Sequence, residues 1–257
     1  MGIVNVTPDS FSDGGRFLDP DAAVAQGRRL FAEGADLVDV GGESTRPGSE
    51  GVAADEELRR VVPVVEAIAG DGRVSIDTSK VAVARAAIEA GASYVNDVTA
   101  FRAEPELAGL VAESGHECCL MHMLGEPRTM QRDPRYDDVV AEVKAFLEDR
   151  MAFAVAEGVA EERIMLDPGI GFGKTVEHNV ELLRRLGEIA ALGRPVVLGA
   201  SRKSFLGRIT GREDSDERLA ATTATTVLGY ERGARVFRVH EVAAARDALA
   251  VTAATVS

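Results

Sequence analysis

Cysteine is nearly missing from this chain: only two of 257 residues are cysteine, and they are neighbours, Cys118 and Cys119. Adjacent cysteines rarely make a relaxed bridge, so a disulfide framework is excluded and a reducing compartment is favoured. Basic residues are outnumbered, 29 Lys and Arg against 42 Asp and Glu, which leaves a net charge of −13. That balance excludes nucleic acid as a bulk partner, because neutralising phosphates needs a basic face. A small anionic ligand stays open, since a local cluster of Arg and Lys can hold one inside an acidic protein. No apolar run approaches the roughly 18 residues of a membrane span, and no basic segment followed by an apolar one opens the chain. Position 6 is Val, so the Met-Gly start lacks the hydroxyl of a myristoylation signal. A soluble cytoplasmic protein is expected.

Several chemistries lack their signatures too. The GKT at 173–175 does not have the G-x-x-x-x-G-K-[ST] spacing of a phosphate-binding Walker loop. No His and Cys pattern matches a zinc site, and no nucleophile elbow or Ser–His–Asp arrangement is present.

What is present is alternation. Hydrophobic residues make up 46% of the chain, ample for a sizeable core. Short β-branched runs at 2–6, 37–42, 73–77, 93–97, 117–122, 163–167, 195–201 and 235–240 read as strands. Helical patterns lie between and after them, at 20–33, 53–69, 80–90, 104–114, 137–157, 176–191, 215–232 and 241–253. Eight β–α units without a linker predict an α/β fold, a (β/α)8 TIM barrel forming a single domain over residues 1–257. A doubly wound sheet is the competing arrangement.

Nearly every strand run ends in a polar residue: Asn5, Asp39 with Glu43, Asp77, Asn96 with Asp97, His122, Asp167, Ser201 with Lys203, and Arg238 with His240. Barrel active sites are assembled from those ends. Exposed strand ends are polar in any case, but a generic set would be rich in Lys and Glu. Asn, Asp, Arg and His are suited to reading a polar heterocycle and an anion.

The stretch LDPGIGFGK (166–174) puts Asp167 where a carboxylate can accept two hydrogen bonds from an N–C–NH2 edge. Its three glycines allow a close approach to a ligand, although a Gly-rich turn before a helix would look the same. In GGESTRPGSEG (41–51), Thr45 and Arg46 are donors suited to a phosphate or carboxylate. SRKS (201–204) and RVH (238–240) follow strands seven and eight, the usual phosphate-binding place in barrels. Asp77 of SIDT and Asn96 of NDV can read opposite edges of one planar ring. Met121 and Met123 of LMHM can pack on such a ring or belong to the core. His122 is either a supporting or a structural residue, and His116 and His178 read as surface residues.

In this order NVTPDSFSDGG (5–15), GGESTRPG, SIDT, NDV, LMHM, DPGIGFGK, SRKSFLG and RVH closely resemble the dihydropteroate synthase family of folate biosynthesis, from residue 2 to about residue 250. The resemblance implies a pterin-binding TIM barrel that condenses 6-hydroxymethyl-7,8-dihydropterin pyrophosphate with p-aminobenzoate, giving 7,8-dihydropteroate and pyrophosphate with Mg2+. It assigns the pterin to Asp77, Asn96, Met121, Asp167 and Lys203, of which Asp77, Asp167 and Lys203 are the catalytic set. It assigns pyrophosphate to Asn5, Arg46, Arg238 and His240, and the metal to Asn5 and Asp13. The p-aminobenzoate pocket falls to Phe11, Thr45, Pro47, Phe172, Lys203 and Ser204, with NVTPDSFSDGG as a closing loop. Homodimers, and inhibition by sulfonamides competing with p-aminobenzoate, are implied as well. Members of the family usually have a further segment before the first strand, whose lack is expected to affect stability rather than chemistry. Ile170 stands where Phe is common and Leu124 where Gln is. A pterin-binding methyltransferase domain and a non-catalytic homologue are the alternatives; the first has no reason to keep STRPG, SRKS and RVH, and loss of Asn5, Asp77, Asp167, Lys203 or His240, all present, would favour the second.

Overall fold

The computed structural model describes residues 1–7, 20–45, 48, 49 and 51–256. Eight parallel strands form one sheet in sequential order: β1 (Gly2–Asn5), β2 (Val38–Gly41), β3 (Val74–Asp77), β4 (Tyr94–Asp97), β5 (Glu117–Met121), β6 (Ile164–Asp167), β7 (Val196–Leu198) and β8 (Ala234–Phe237). The sheet curls until its two edges meet. A parallel bridge joins Gly2 to Val239, with Ile3 N donating to Val239 O at 3.1 Å and Val239 N donating to Met1 O at 3.0 Å.

Ten α-helices lie between and after the strands among the described residues: α1 (Pro20–Ala32), α2 (Ala54–Ile68), α3 (Val81–Glu89), α4 (Glu106–Ser114), α5 (Val139–Ala156), α6 (Val176–Arg184), α7 (Leu186–Ala190), α8 (Ser204–Thr210), α9 (Leu219–Glu231) and α10 (Val242–Val256). The strands match the expected runs to within a few residues. The pattern at 176–191 breaks into α6 and α7 at Arg185, whose backbone leaves the helical region. Residues 216–218 form a 3-10 turn leading into α9, and α8 is an additional helix after SRK. Local chemistry sets several ends. Asp138 caps α5 by accepting from Val140 N and Ala141 N, and Thr175 with His178 forms a capping box on α6. His178 is thus a capping residue.

Strand alternation divides the core and places the site. Val95, Cys118, Leu120, Leu166, Val196 and Leu198 pack against the helices in the main apolar cluster. Their neighbours Tyr94, Cys119, Met165, Val197 and Val236 form a second, smaller cluster on the opposite face of the sheet. One period further along that face stand Asn96, Met121, Asp167, Gly199 and Arg238. Asn5 and Asp77 occupy the corresponding ends of β1 and β3, in register through Gly41. The polar strand ends therefore crown one end of the sheet above an apolar floor.

Candidate functional site

Asp39, on β2, is the hub of this crown and is fully buried. Its Oδ1 accepts from Ser75 Oγ at 2.5 Å, and its Oδ2 accepts from Asn96 Nδ2 at 3.1 Å and from Arg238 Nε at 2.6 Å. Since the amide nitrogen of Asn96 is engaged by Asp39, its carbonyl oxygen is left to accept from a ligand N–H. The sequence placed Asp39 among the polar strand ends and gave it no role. Its function depends on a partner 199 residues away, which no local pattern reveals.

Arg238 spans two carboxylates, with Nη2 donating to Asp77 Oδ2 at 2.7 Å. Burial works against its charge, but Asp39 and Asp77 more than offset this and hold its pKa above the ordinary value. Burial pushes Asp77 up to about 8; Arg238 opposes the rise, and the charge of Asp39 adds to it. Two carboxyl groups thus share one guanidinium, and the second negative charge, on Asp77, is fully developed only above about pH 8.

Across the crown, Asp167 Oδ1 accepts from Gly169 N at 2.7 Å, which leaves Oδ2 free to turn toward the opening. Gly199 on the β7 end has no side chain, and a Cβ there would lie 3.7 Å from Asp167 Oδ2, 3.9 Å from Arg238 Cβ and 3.9 Å from Lys203 Nζ. These three groups therefore converge on one point of the rim. Burial raises the pKa of Asp167 against the pull of Lys203, and burial lowers that of Lys203 to about 8 against the pull of Asp167. The Lys203 ammonium also donates to Ile170 O and sits 4.5 Å from the centroid of the Phe172 ring.

An apolar cluster adjoins these polar groups. Met121, Met123, Met130 and Val98 form a separate buried cluster, and Phe172 packs on it. Asp77, Asn96, Met121, Asp167, Lys203, Phe172 and Arg238 are thereby brought to one end of the sheet. His240 is nearby on the rim, its Nδ1 2.9 Å from Ser201 Oγ. Asn5 is half-buried at the end of β1, and Thr45 is half-buried in the loop after β2. Ser204 is exposed at the first position of α8. Phe11, Asp13, Arg46 and Pro47 lie outside the described residues. Among the described residues no group of three or more His, Cys, Asp or Glu gathers as a metal cage, and no helix is long and apolar enough to cross a membrane.

The loop after β6 is held by residues to which the motif reading gave no role. Gly171 N donates to Asn179 Oδ1 at 2.6 Å, Tyr136 OH donates to Gly173 O at 2.9 Å, and Lys174 Nζ donates to Phe172 O at 3.0 Å. Lys174 Nζ also lies 2.9 Å from His122 Nδ1. Burial, then the charge of Lys174, pushes His122 down to about 2, so the imidazole is neutral. His122 is structural, buried behind the site. After β4, the Asp97 carboxylate accepts from Thr99 N at 2.8 Å and Phe101 N at 2.7 Å, holding Ala100 and Phe101 at φ 53° and 61°.

Such an end can present acceptors to the edges of a flat polar heterocycle, stack its face on Met121, and hold an anion near Lys203 and Arg238. Residues 1–240 match the family described as pterin binding enzyme. The dihydropteroate synthase of Escherichia coli strain K12 is 46% identical over 259 residues, covering 100% of this chain and 91% of its own length. That of Mycobacterium leprae is 50% identical over 99% of this chain and 92% of its own. Among solved structures, Xanthomonas albilineans dihydropteroate synthase with 4-aminobenzoic acid superposes with a TM-score of 0.93 at 50% identity, covering 99% of this chain and 91% of that one. The Yersinia pestis enzyme in a sulfonamide complex gives 0.93 at 42% identity, covering 99% and 92%. With the heterocycle-reading crown in place and relatives of this identity along nearly its whole length, the chain belongs to the pterin binding enzymes, among the dihydropteroate synthases.

Proposed function

We propose that this protein condenses 6-hydroxymethyl-7,8-dihydropterin pyrophosphate with p-aminobenzoate to give 7,8-dihydropteroate and pyrophosphate, as a transferase of folate biosynthesis. The observation that carries this reading is the convergence of Asp167, Lys203 and Arg238 on Gly199, beside the Asp77–Arg238–Asp39–Asn96 network. The solved dihydropteroate synthase of Xanthomonas albilineans in complex with 7,8-dihydropteroate, with a TM-score of 0.89 at 47% identity, supports it.

In this reading Asp77, Asn96 Oδ1 and Asp167 Oδ2 accept from the pterin edges, Lys203 donates to the ring, and Met121 packs on its face. Arg238, His240, Arg46 and Asn5 hold the pyrophosphate. The bond between the pterin methylene carbon and its pyrophosphate oxygen breaks, and the electron pair leaves with pyrophosphate. The amine of p-aminobenzoate then attacks the methylene carbon and loses a proton to water. Asp77 and Asp167 act electrostatically on the developing cation, preorganised by Arg238 and Gly169 N. The amine is neutral near pH 7 and needs no strong base, so positioning supplies much of the rate. Phe11, Thr45, Pro47, Phe172, Lys203 and Ser204 form the p-aminobenzoate side.

Mg2+ fits this reading through donor chemistry: Asn5 offers a carboxamide oxygen at the β1 end, and Asp13 would add a carboxylate. Oxygen ligands of this kind suit Mg2+, which keeps water and phosphate oxygens in its remaining positions. When bound, the ion would neutralise charge on the departing pyrophosphate.

Residues 1–257 are read as a single closed (β/α)8 barrel domain, supported by the Gly2–Val239 bridge. A homodimer through α9 and α10 is supported by Leu219, Leu228 and Val251, large apolar side chains exposed on those helices. A cytoplasmic location is supported by the two buried free thiols. Steady-state inhibition tests the assignment of the second substrate. A sulfonamide is expected to raise the apparent KM for p-aminobenzoate with kcat unchanged, and turnover indifferent to saturating sulfonamide would contradict it.

A further inference from the structure

Lys80 stands three residues beyond Asp77, at the N-cap position of α3, and none of the roles above uses it. Its ammonium donates to two carboxylates from other elements: Glu43, just past β2, and Glu57, on α2. Glu57 is fully buried, and its Oε1 has no hydrogen-bond partner among the described residues, so Lys80 is its counterion. Glu43 also accepts from Val52 N at 3.0 Å, linking the two ends of the loop. From α2, Arg60 Nη1 donates to Gly42 O at 2.8 Å. The start and end of the loop after β2 are thus tied to the start of α3 and to α2 through one ammonium and one guanidinium.

Burying such a triad gives little net stability, since desolvation offsets most of the attraction and well-packed apolar residues often serve as well. What it supplies is direction. Although burial favours the neutral amine, the bonds to Glu43 and Glu57 hold the Lys80 pKa above its ordinary value, so the charge persists at working pH. The loop whose ends are tied in this way carries Thr45, on the p-aminobenzoate side in the reading above, whereas Lys80 caps α3 three residues beyond Asp77.

We propose that Lys80 is a positioning residue that sets the p-aminobenzoate loop after β2 relative to the pterin-binding end of β3. This rests on the synthase reading above. It predicts a split between the two substrates. Lys80→Met is expected to raise KM for p-aminobenzoate about tenfold or more, a range that a displacement of under an ångström produces. KM for the dihydropterin pyrophosphate should change less than about twofold, because Asp77, Asn96 and Asp167 keep their own partners. Lys80→Arg keeps the charge and should recover most of the loss. Glu43→Gln leaves Glu57 paired and should show the same split in weaker form, which keeps the test open if Lys80→Met does not fold. Hydrogen–deuterium exchange supplies a readout independent of activity: residues 42–53 should exchange faster in Lys80→Met and Glu43→Gln, with β3 unchanged. A wild-type protein without synthase activity would overturn the functional reading, while faster exchange confined to 42–53 would still uphold the clamp. Equal changes in both KM values, or uniform exchange across the two segments, would overturn the role of Lys80.

Discussion

Asp77 is held where a carboxylate is least comfortable: buried, beside Asp39, with one guanidinium between them. Its pKa is pushed up to about 8, so the folded protein binds that proton more tightly than the unfolded chain does. The associated stability is complete below about pH 4 and is lost as pH rises through about 8. Asp77→Asn removes the titration and leaves Arg238 paired one-to-one with Asp39. The variant should melt roughly 2–6 °C above the wild type at pH 8, with the gap closing toward pH 5. Above pH 8, where the wild-type carboxylate is ionised, its turnover should fall about a hundredfold with p-aminobenzoate binding little affected, because the lost charge acts on the cation and not on the amine. Thermal melting across pH together with steady-state kinetics checks both; a lower melting temperature at pH 8 would contradict the electrostatic role. Asp77, Asn96, Asp167 and Arg238 were legible because each ends a β-branched run. Lys174 and Asn179 were not, since each gains its meaning from a distant backbone or side-chain partner.

At the scale of elements, the loops after the strands are set by turn chemistry that only partly shows in sequence. Gly169 has φ +66°, and a Cβ there would stand 1.8 Å from His122 O, so this glycine is obligatory where the motif reading allowed a simple turn. Gly169→Ala must shift the β6–α6 loop away from β5 and strain the bond from residue 169 to Asp167. A destabilisation of about 2–4 kcal/mol is expected, read as a fall of roughly 5–15 °C in melting temperature. A melting temperature within about 2 °C of wild type would show that the loop absorbs the methyl group. The strand order and the helix after each strand were readable from periodicity alone. The break at Arg185 was not, because no Gly or Pro marks it and tertiary packing ends the helix. Helix α8 is not legible in the sequence because seven residues are too few to show a period, although Gly211 at its end, with φ 72°, is a stop signal. RVFRVH reads as one strand. Strand β8 ends at Phe237, Val239 pairs with β1 through its bridge to Gly2, and between them Arg238 turns its guanidinium onto Asp39 and Asp77.

For the whole molecule, the acidic balance extends to the site: at the strand ends Lys203 and Arg238 stand among Asp39, Asp77 and Asp167. Two cations there can still hold an anion locally within a chain of net charge −13. Period-two alternation brings the polar strand ends together: Tyr94, Met165 and Val236 of the apolar floor are followed, two positions on, by Asn96, Asp167 and Arg238. The decisive measurement is pyrophosphate release from dihydropterin pyrophosphate, with and without p-aminobenzoate, in the presence of Mg2+. Release that depends on p-aminobenzoate, with dihydropteroate formed mole for mole, is the predicted result. Pterin binding with no release in the presence of p-aminobenzoate, or release without dihydropteroate, would contradict the synthase assignment.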